Sequence, residues 1–318
     1  MITLSHIRAA ADSLPKELVY TPCLKSDELS RITGGTILLK AENLQPTGAY
    51  KVRAASHILS GLAGREKAVA ISSSGNFAKA FAYMGRQYQV PIVTVMMKRT
   101  EAVKVNAVRA LGAQVVFCED RHQARWETLD ALEKEGKVHT INTYESPDVL
   151  AGHGTIGLEI MQQASELDIV LVPVSSGGLI AGVATALKEI NPRVKIIGIQ
   201  PELSRAAYVS LQEGRPVNVP ESRSICDALV ATRPGELPFQ HIQKYVDEIK
   251  LVPDEAVKRA VHLLARSNGL VVEPSGAVGA AILLERGIDV RNKRALLILS
   301  GGNIAPKTLA GILEEMDR

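Results

Sequence analysis

Seven short runs rich in valine, isoleucine and leucine recur along the chain, and helical patterns fill the intervals between them. That alternation constrains the fold more than any other feature. The runs are "TILLK" (36–40), "AVAIS" (68–72), "IVTVM" (92–96), "QVVFC" (114–118), "DIVLVPV" (168–174), "VKIIGIQ" (194–200) and "ALLILS" (295–300). Several are apolar at successive positions, so both faces of the strand must be covered, as in parallel sheets layered between helices. Segments such as "EAVKVNAVRALG" and "DEAVKRAVHLLARSNG" separate them, and the second opens on Asp254–Glu255 and closes on Asn268–Gly269, which are helix start and stop signals. The pattern predicts an α/β protein with helices on both faces of mainly parallel, open sheet. The sequence contains neither an internal repeat nor a low-complexity segment.

Composition removes several classes of function. At 318 residues, 46% hydrophobic and 22% charged, the chain has ample apolar surface for real cores. Aromatic residues make up 4%, with Trp126 the single tryptophan, which argues against base-stacking platforms. The net charge of +3 is spread without a Lys/Arg run, so no nucleic-acid partner is expected. No apolar run approaches membrane-spanning length, and the opening "MITLSHIRAAADSLPKEL" reads as a charged amphipathic helix rather than a signal peptide. Cys23, Cys118 and Cys226 lie far apart without CxxC spacing, which favours neither a disulfide framework nor a zinc site. A cytoplasmic protein is the expectation. With eighteen residues after Ser300, no appended regulatory domain is expected.

In open α/β sheets ligands bind where strands end and helices begin, and four such junctions here are small and polar. They are "SSSGNFAKA" (72–80), "SSGGLIAGVATALKEI" (175–190), "VVEPSGAVGAA" (271–281) and "LLILSGGNIAP" (297–306). Ser175, Ser176, Gly177 and Gly178 let backbone N–H groups crowd an anion at a helix start. A tight turn needing glycine would look the same. The spacing is neither GxGxxG nor a nucleoside-triphosphate loop. "SSSGN" reads either as a serine N-cap or as a carboxylate cradle. "EPSG" reads as a proline-bounded turn and "SGGN" as a turn at a strand end. Upstream, "NLQPTGAYKVRAA" (43–55) places Lys51 at a turn-to-helix junction behind Pro46, Thr47 and Gly48. A solvated surface lysine is the plain alternative. Taken together, a phosphate cradle, a carboxylate cradle and a turn-borne amine fit pyridoxal phosphate, which forms a Schiff base with lysine.

The order and spacing of these segments resemble the fold-type II pyridoxal-phosphate enzymes, in the threonine dehydratase/serine racemase branch. That branch carries TGSFKxRGA, SSGNHAQG, GGGGLISG, EPSGA and SGGN; this chain shows "TGAYKVRAA", "SSGNFAKA", "SSGGLIAG", "EPSGA" and "SGGN" in the same order. "TPCLKSDELS" (21–30) and "AGHGTIGLEI" (151–160) also look like family segments. The resemblance implies two open, mainly parallel sheets with the active site between a large domain (1–67 and 146–318) and a small mobile domain (68–145). It implies Lys51 as the Schiff-base lysine and Ser73, Ser74, Gly75 and Asn76 around the substrate carboxylate and the ring hydroxyl. Ser175, Ser176, Gly177, Gly178 and Leu179 would hold the phosphate, Ser300 would face the pyridine nitrogen, and Glu273 would lie near the ring. Arg125 matches an arginine that approaches substrate on closure, although a surface helix arginine is an equal reading. A homodimer is the family habit.

The departures bear on substrate. Ala49, Tyr50 and Ala54 stand where the family has Ser, Phe and Gly. Phe77 replaces a histidine, His153 replaces a glutamine, and two phosphate-loop glycines are serines. Gln200 and Ala206 replace two acids of a family cation site, so no metal is expected. The implied activity is β-elimination from a β-hydroxy amino acid, giving a 2-oxo acid and ammonia, with Lys51 taking the Cα proton. Ser300, unlike an aspartate, would leave the ring a weaker electron sink suited to rapid elimination. Racemisation is the alternative, because Ser74 would lie on the opposite face of Cα. Phe77, Tyr50 and His153 raise a bulkier substrate, such as phenylserine. A non-catalytic ligand sensor on the same fold is a third reading.

Overall fold

The computed structural model describes residues 1–317. Among the described residues, ten strands form two sheets: β1 (Cys23–Lys25), β2 (Thr36–Lys40), β3 (Ala68–Ser72), β4 (Ile92–Met97), β5 (Gln114–Cys118), β6 (Val138–Thr140), β7 (Ile169–Pro173), β8 (Lys195–Pro201), β9 (Glu248–Val252) and β10 (Arg294–Ile298). The larger sheet runs β1-β2-β10-β7-β8-β9 and the smaller β5-β4-β3-β6. All neighbours are parallel except β1 with β2. The α/β expectation therefore holds, with each of the seven expected strands in place to within two residues at its ends. The three others, β1, β6 and β9, are new.

Side-chain alternation loads both faces of each sheet. On the larger sheet Ala295, Leu297 and Leu299 join Leu39, Leu171 and Ile197 against the helices Asp254–Asn268 and Pro274–Leu284. Leu296 and Ile298 turn the other way, with Val170, Val172 and Ile196, toward the helices Pro147–Gln163 and Gly178–Ile190. In the smaller sheet Val69, Ile71, Ile92 and Met96 meet the helix Asn76–Tyr88, while Ala70, Val93, Val95 and Met97 face the helix His122–Lys134. At about 1.5–3 kcal/mol per large apolar side chain removed from water, such two-sided burial is the main force holding the layers.

Strand order then decides where a ligand can bind. From β7 the chain winds outward through β8 to β9, while β10 lies on the other side of β7. From β3 it winds through β4 to β5, while β6 lies on the other side of β3. Each sheet thus has a topological switch point, where loops after adjacent strands diverge and leave a crevice. The loops after β7 and β10 begin at Val174 and Leu299; those after β3 and β6 begin at Ser73 and Ile141.

Candidate active site

The loops from both switch points line one cavity of about 550 Å³. Its wall holds Lys51, the stretch Ser73–Phe77, the stretch Ser175–Leu179, and Arg125, Glu273 and Ser300. All fourteen residues singled out in the sequence are therefore brought together.

Lys51 is placed by stitching between its turn and the loop after β10. Tyr50 N–H donates to Ser300 O at 3.1 Å, Gly302 N–H donates to Gly48 O at 2.8 Å, and Asn303 Nδ2 donates to Thr47 O at 2.8 Å. Gly48 sits at φ 74°, a conformation that a Cβ would strain, and that Cβ would stand 2.6 Å from Asn303 Oδ1. Lys51 is the residue before the helix Val52–Ser60, and its Nζ donates to Tyr50 Oη at 3.1 Å, 4.4 Å from the centre of that ring. It is half-buried and has no acidic partner among the described residues. A solvated lysine would not sit here.

Two residues further on, Arg53 is fully buried in a charge network. It donates to both oxygens of Glu42 (2.7 and 2.8 Å) and of Glu159 (2.6 and 2.9 Å). Lys40 also donates to Glu159, at 2.5 Å, and to Thr21 O, at 2.7 Å. Two cations meet two anions, so the network is neutral, and each charge is hydrogen-bonded, as burial requires.

The anion cradle begins where Gly177, at φ 102°, caps the helix Gly178–Ile190. That left-handed conformation suits glycine, and a Cβ there would press on Ile242 and Pro238 at 2.9 and 3.0 Å. The first N–H groups of the helix have no intrahelical acceptor and lie at its positive end. At the other loop the N-cap is Gly75 and makes no side-chain capping bond, so the serines of "SSSGN" do not cap the helix Asn76–Tyr88. Among the described residues, the hydroxyls of Ser74, Ser175, Ser176 and Ser300 meet no protein partner.

Glu273, read as part of a proline-bounded turn, in fact precedes the first turn of the helix Pro274–Leu284. Pro274 occupies the first helical position, where a missing N–H costs nothing. The Glu273 carboxylate accepts from Asn76 Nδ2 at 2.8 Å and Asn303 N at 3.2 Å. Burial raises its pKa, against the pull of Asn76 and Lys51. Asn303 also donates to Asn76 Oδ1 at 2.8 Å and accepts from Lys79 Nζ at 2.8 Å. Asn303 and Lys79 were missed as site residues although both lie in quoted segments; "SGGN" was the available signal for the first. Burial lowers the pKa of Lys79, with Glu273 drawing it the other way. Arg125 reaches back to the end of β3, donating from Nε to Ser72 Oγ at 2.7 Å and from Nη2 to Ser72 O at 3.3 Å.

His153 also lines the cavity. It is 2% exposed and neither ring nitrogen has a hydrogen-bond partner. Its ring packs edge-on against Tyr50 at 4.6 Å and tilted against Phe77 at 5.8 Å. Burial, and then the Lys51 cation, push its pKa down to about 3. The Gly178 main chain pulls weakly the other way but is too poorly placed for a hydrogen bond. At the cation site of the resemblance, Gln200 is buried, accepting from Tyr208 N at 2.8 Å and donating to Val174 O at 3.4 Å.

The residues present fit pyridoxal phosphate: a half-buried amine without an acidic partner, an open helix start behind a left-handed glycine, and unpartnered hydroxyls converge on one cavity. Comparison with known proteins agrees. The family model described as pyridoxal-phosphate dependent enzyme matches residues 15–301. The L-threonine ammonia-lyase of Thermotoga maritima is 38% identical over 307 residues, covering 96% of this chain and 76% of that protein. The processed form of threonine deaminase isoform 2 from Solanum lycopersicum superposes with a TM-score of 0.90 at 32% identity, covering 98% of this chain and 92% of the other. Serine racemase from Dictyostelium discoideum superposes with a TM-score of 0.89 at 31% identity, covering 96% of this chain and 99% of the other. This chain belongs to the pyridoxal-phosphate dependent enzymes.

Proposed function

We propose that this enzyme is an ammonia-lyase that dehydrates and deaminates a β-hydroxy amino acid, with threonine and serine as the first substrates to try. The observation that carries the reading is the convergence of Lys51, the Ser175–Leu179 cradle and Ser300 on one cavity. The names of the relatives, L-threonine ammonia-lyase and threonine deaminase, support the lyase and the substrate class.

In this reading Lys51 holds the cofactor covalently, the Ser175–Leu179 loop holds its phosphate, and Ser300 faces its pyridine nitrogen. When bound, the cofactor supplies an electron sink for the pair left on Cα. Ser73, Ser74, Gly75 and Asn76 hold the substrate carboxylate, and Arg125 completes that side. The substrate amine displaces Lys51 from the cofactor, the freed Lys51 amine takes the Cα proton, and the hydroxyl leaves Cβ protonated, as water. The resulting enamine rearranges and hydrolyses, so the net products are a 2-oxo acid and ammonia. Phe77 and Tyr50 form an apolar wall that admits a bulkier side chain such as that of phenylserine. Ser74 supports racemisation as the second reading, through its place on the same cavity wall and the likeness to serine racemase.

The proposed organisation has a large unit, 1–67 and 146–318, and a small mobile unit, 68–145, whose closure excludes water. Polar contacts such as Lys79 to Asn303 and Lys104 to Asp227 (3.0 Å) bridge the cavity mouth, and exposed contacts of this kind are cheap to break. Small-angle scattering with and without a substrate analogue tests the closure. A cytoplasmic homodimer is part of the same reading, and sedimentation checks the dimer.

The deciding experiment is borohydride reduction of the yellow protein with peptide mapping, followed by turnover on a panel of β-hydroxy amino acids. Label on Lys51 with release of a 2-oxo acid supports the lyase. Chiral analysis separates the second reading: in a racemase, Ser74→Ala stops interconversion while elimination from one enantiomer persists. Saturable binding with no product would leave only a ligand sensor.

A further inference from the structure

We propose that His153 is a ligand-binding residue of the cavity, donating a ring N–H to the phosphate of the bound cofactor. The inference rests on the cofactor reading above and adds to it a residue that the turn segments do not contain.

The geometry comes from close helix packing. A Cβ on Gly152 would stand 2.5 Å from Ala54 Cα, and one on Gly154 would stand 3.0 Å from Gly182 O. The helix Pro147–Gln163 is thus pressed between the helix that begins after Lys51 and the helix that begins at the anion cradle. His153, between those two glycines, is carried to the place where both helices start. Its Nδ1 lies 3.6 Å from where a Cβ of Gly178 would be. Its ring also packs 4.6 Å from the Tyr50 ring, and the Lys51 amine lies 4.4 Å from the centre of that same ring. The imidazole therefore lies near both points at which the cofactor would be attached, the cradle for its phosphate and the lysine for its carbonyl carbon.

The chemistry follows from what the ring lacks. A neutral imidazole has one donor and one acceptor, and leaving such groups buried and unpartnered is costly. Two of the polar groups that line the cavity with it are already engaged. Tyr50 Oη accepts from Lys51, and the Glu273 carboxylate is held by Asn76 and Asn303. An imidazole near a lysine and a helix N-terminus favours an anionic acceptor, and a phosphate oxygen held in the cradle would supply one.

The test titrates apoprotein with pyridoxal 5′-phosphate and, separately, with pyridoxal, which lacks the phosphate; the visible absorption band reports binding. His153→Phe keeps the ring volume and removes both nitrogens, and His153→Gln keeps a donor. We expect the affinity of His153→Phe for pyridoxal 5′-phosphate to fall about tenfold to a hundredfold, with pyridoxal unaffected. His153→Gln should recover most of the loss, and the ³¹P resonance of the bound cofactor should move in His153→Phe. A parallel loss for both ligands would mean that the ring is only packing, and an unchanged cofactor affinity with a raised substrate KM would mean that it faces the substrate. Either result overturns the inference. A wild-type protein that develops no band would instead overturn the cofactor reading itself, and the two failures are told apart in the wild type.

Discussion

His241 and His153 pack against the same helix, Gly178–Ile190, and both are buried and held neutral. Yet they differ in every hydrogen bond. His241 lies alongside the middle of that helix: its Nδ1 bonds Thr185 Oγ1 at 2.7 Å, and its Nε2 accepts from Ile2 N at 3.0 Å. Thr185 donates its own proton to Ala181 O at 2.7 Å, so its hydroxyl accepts from His241, which fixes the Nδ1–H tautomer. His153 stands at the helix start with both nitrogens unpartnered. The same contrast separates Arg53, with five hydrogen bonds to Glu42, Glu159 and Thr155, from the hydroxyls around the cavity. Away from the cavity, His241 and Arg53 are matched by the fold itself. At the cavity, His153 and these hydroxyls are left for something else to match.

The contrast breaks first at the two ends of "KVR". Lys51→Ala should lower turnover to about one ten-thousandth or less, since covalent attachment and the Cα base are lost together. Its melting temperature as apoprotein should stay near wild type, because Lys51 closes no internal network. Arg53→Met should do the reverse, costing about 3–5 kcal/mol of stability by leaving Glu42 buried without its ion-pair partner and Glu159 with Lys40 alone. Urea unfolding measures it. A stable Arg53→Met protein would mean that the buried network is not what holds the lysine's helix.

Gly152 joins the two regions and carries a smaller effect. Its Cβ in Gly152→Ala would meet Ala54 Cα at 2.5 Å, a backbone contact that yields only if the helices part. An overpacked helix crossing costs typically about 1–3 kcal/mol. The same parting would shift Lys51 against the cradle, so cofactor affinity should weaken along with the unfolding midpoint. Loss of stability with cofactor affinity intact would uncouple the crossing from the site.

What could be read in advance, and what could not, follows the same physical division. The strands with apolar runs were legible because both their faces are covered. The three that were missed, "CLK", "VHT" and "EIKLV", are all sheet edges, where one side meets solvent or loop and the composition mixes. Lys51 and the small polar loops were legible because turn residues at strand ends carry meaning over a few positions. "EPSG" misled, because a proline in a turn and a proline opening a helix look alike without the residues that follow in space. The roles of Asn303 as a clasp on Thr47 and Asn76, and of His153 as an unpartnered ring, depend on partners 227 or more residues away or on the absence of any. No local pattern encodes that.

The last expected effect is one of pH, and its sign comes from His241. An exposed histidine in the unfolded chain titrates near roughly 6.5. Burial, with the N-terminal amine and Lys244 adding in the same direction, pushes His241 down to about 4 in the folded protein. Between those values the unfolded chain holds more protons than the folded one, so this histidine's contribution is complete above pH 6.5 and is lost as the pH falls toward 4. The slope is at most about 1.4 kcal/mol per pH unit. His153 acts in the same sense, so wild type alone cannot separate them. His241→Gln can: its amide can donate to Thr185 and accept from Ile2 without ever taking a proton. The difference between wild-type and His241→Gln unfolding free energies should be flat above pH 6.5 and should move in favour of the variant below it. A difference that stays flat to pH 4 would mean that His241 takes up its proton in the folded state, against a bond in which Nε2 is already the acceptor.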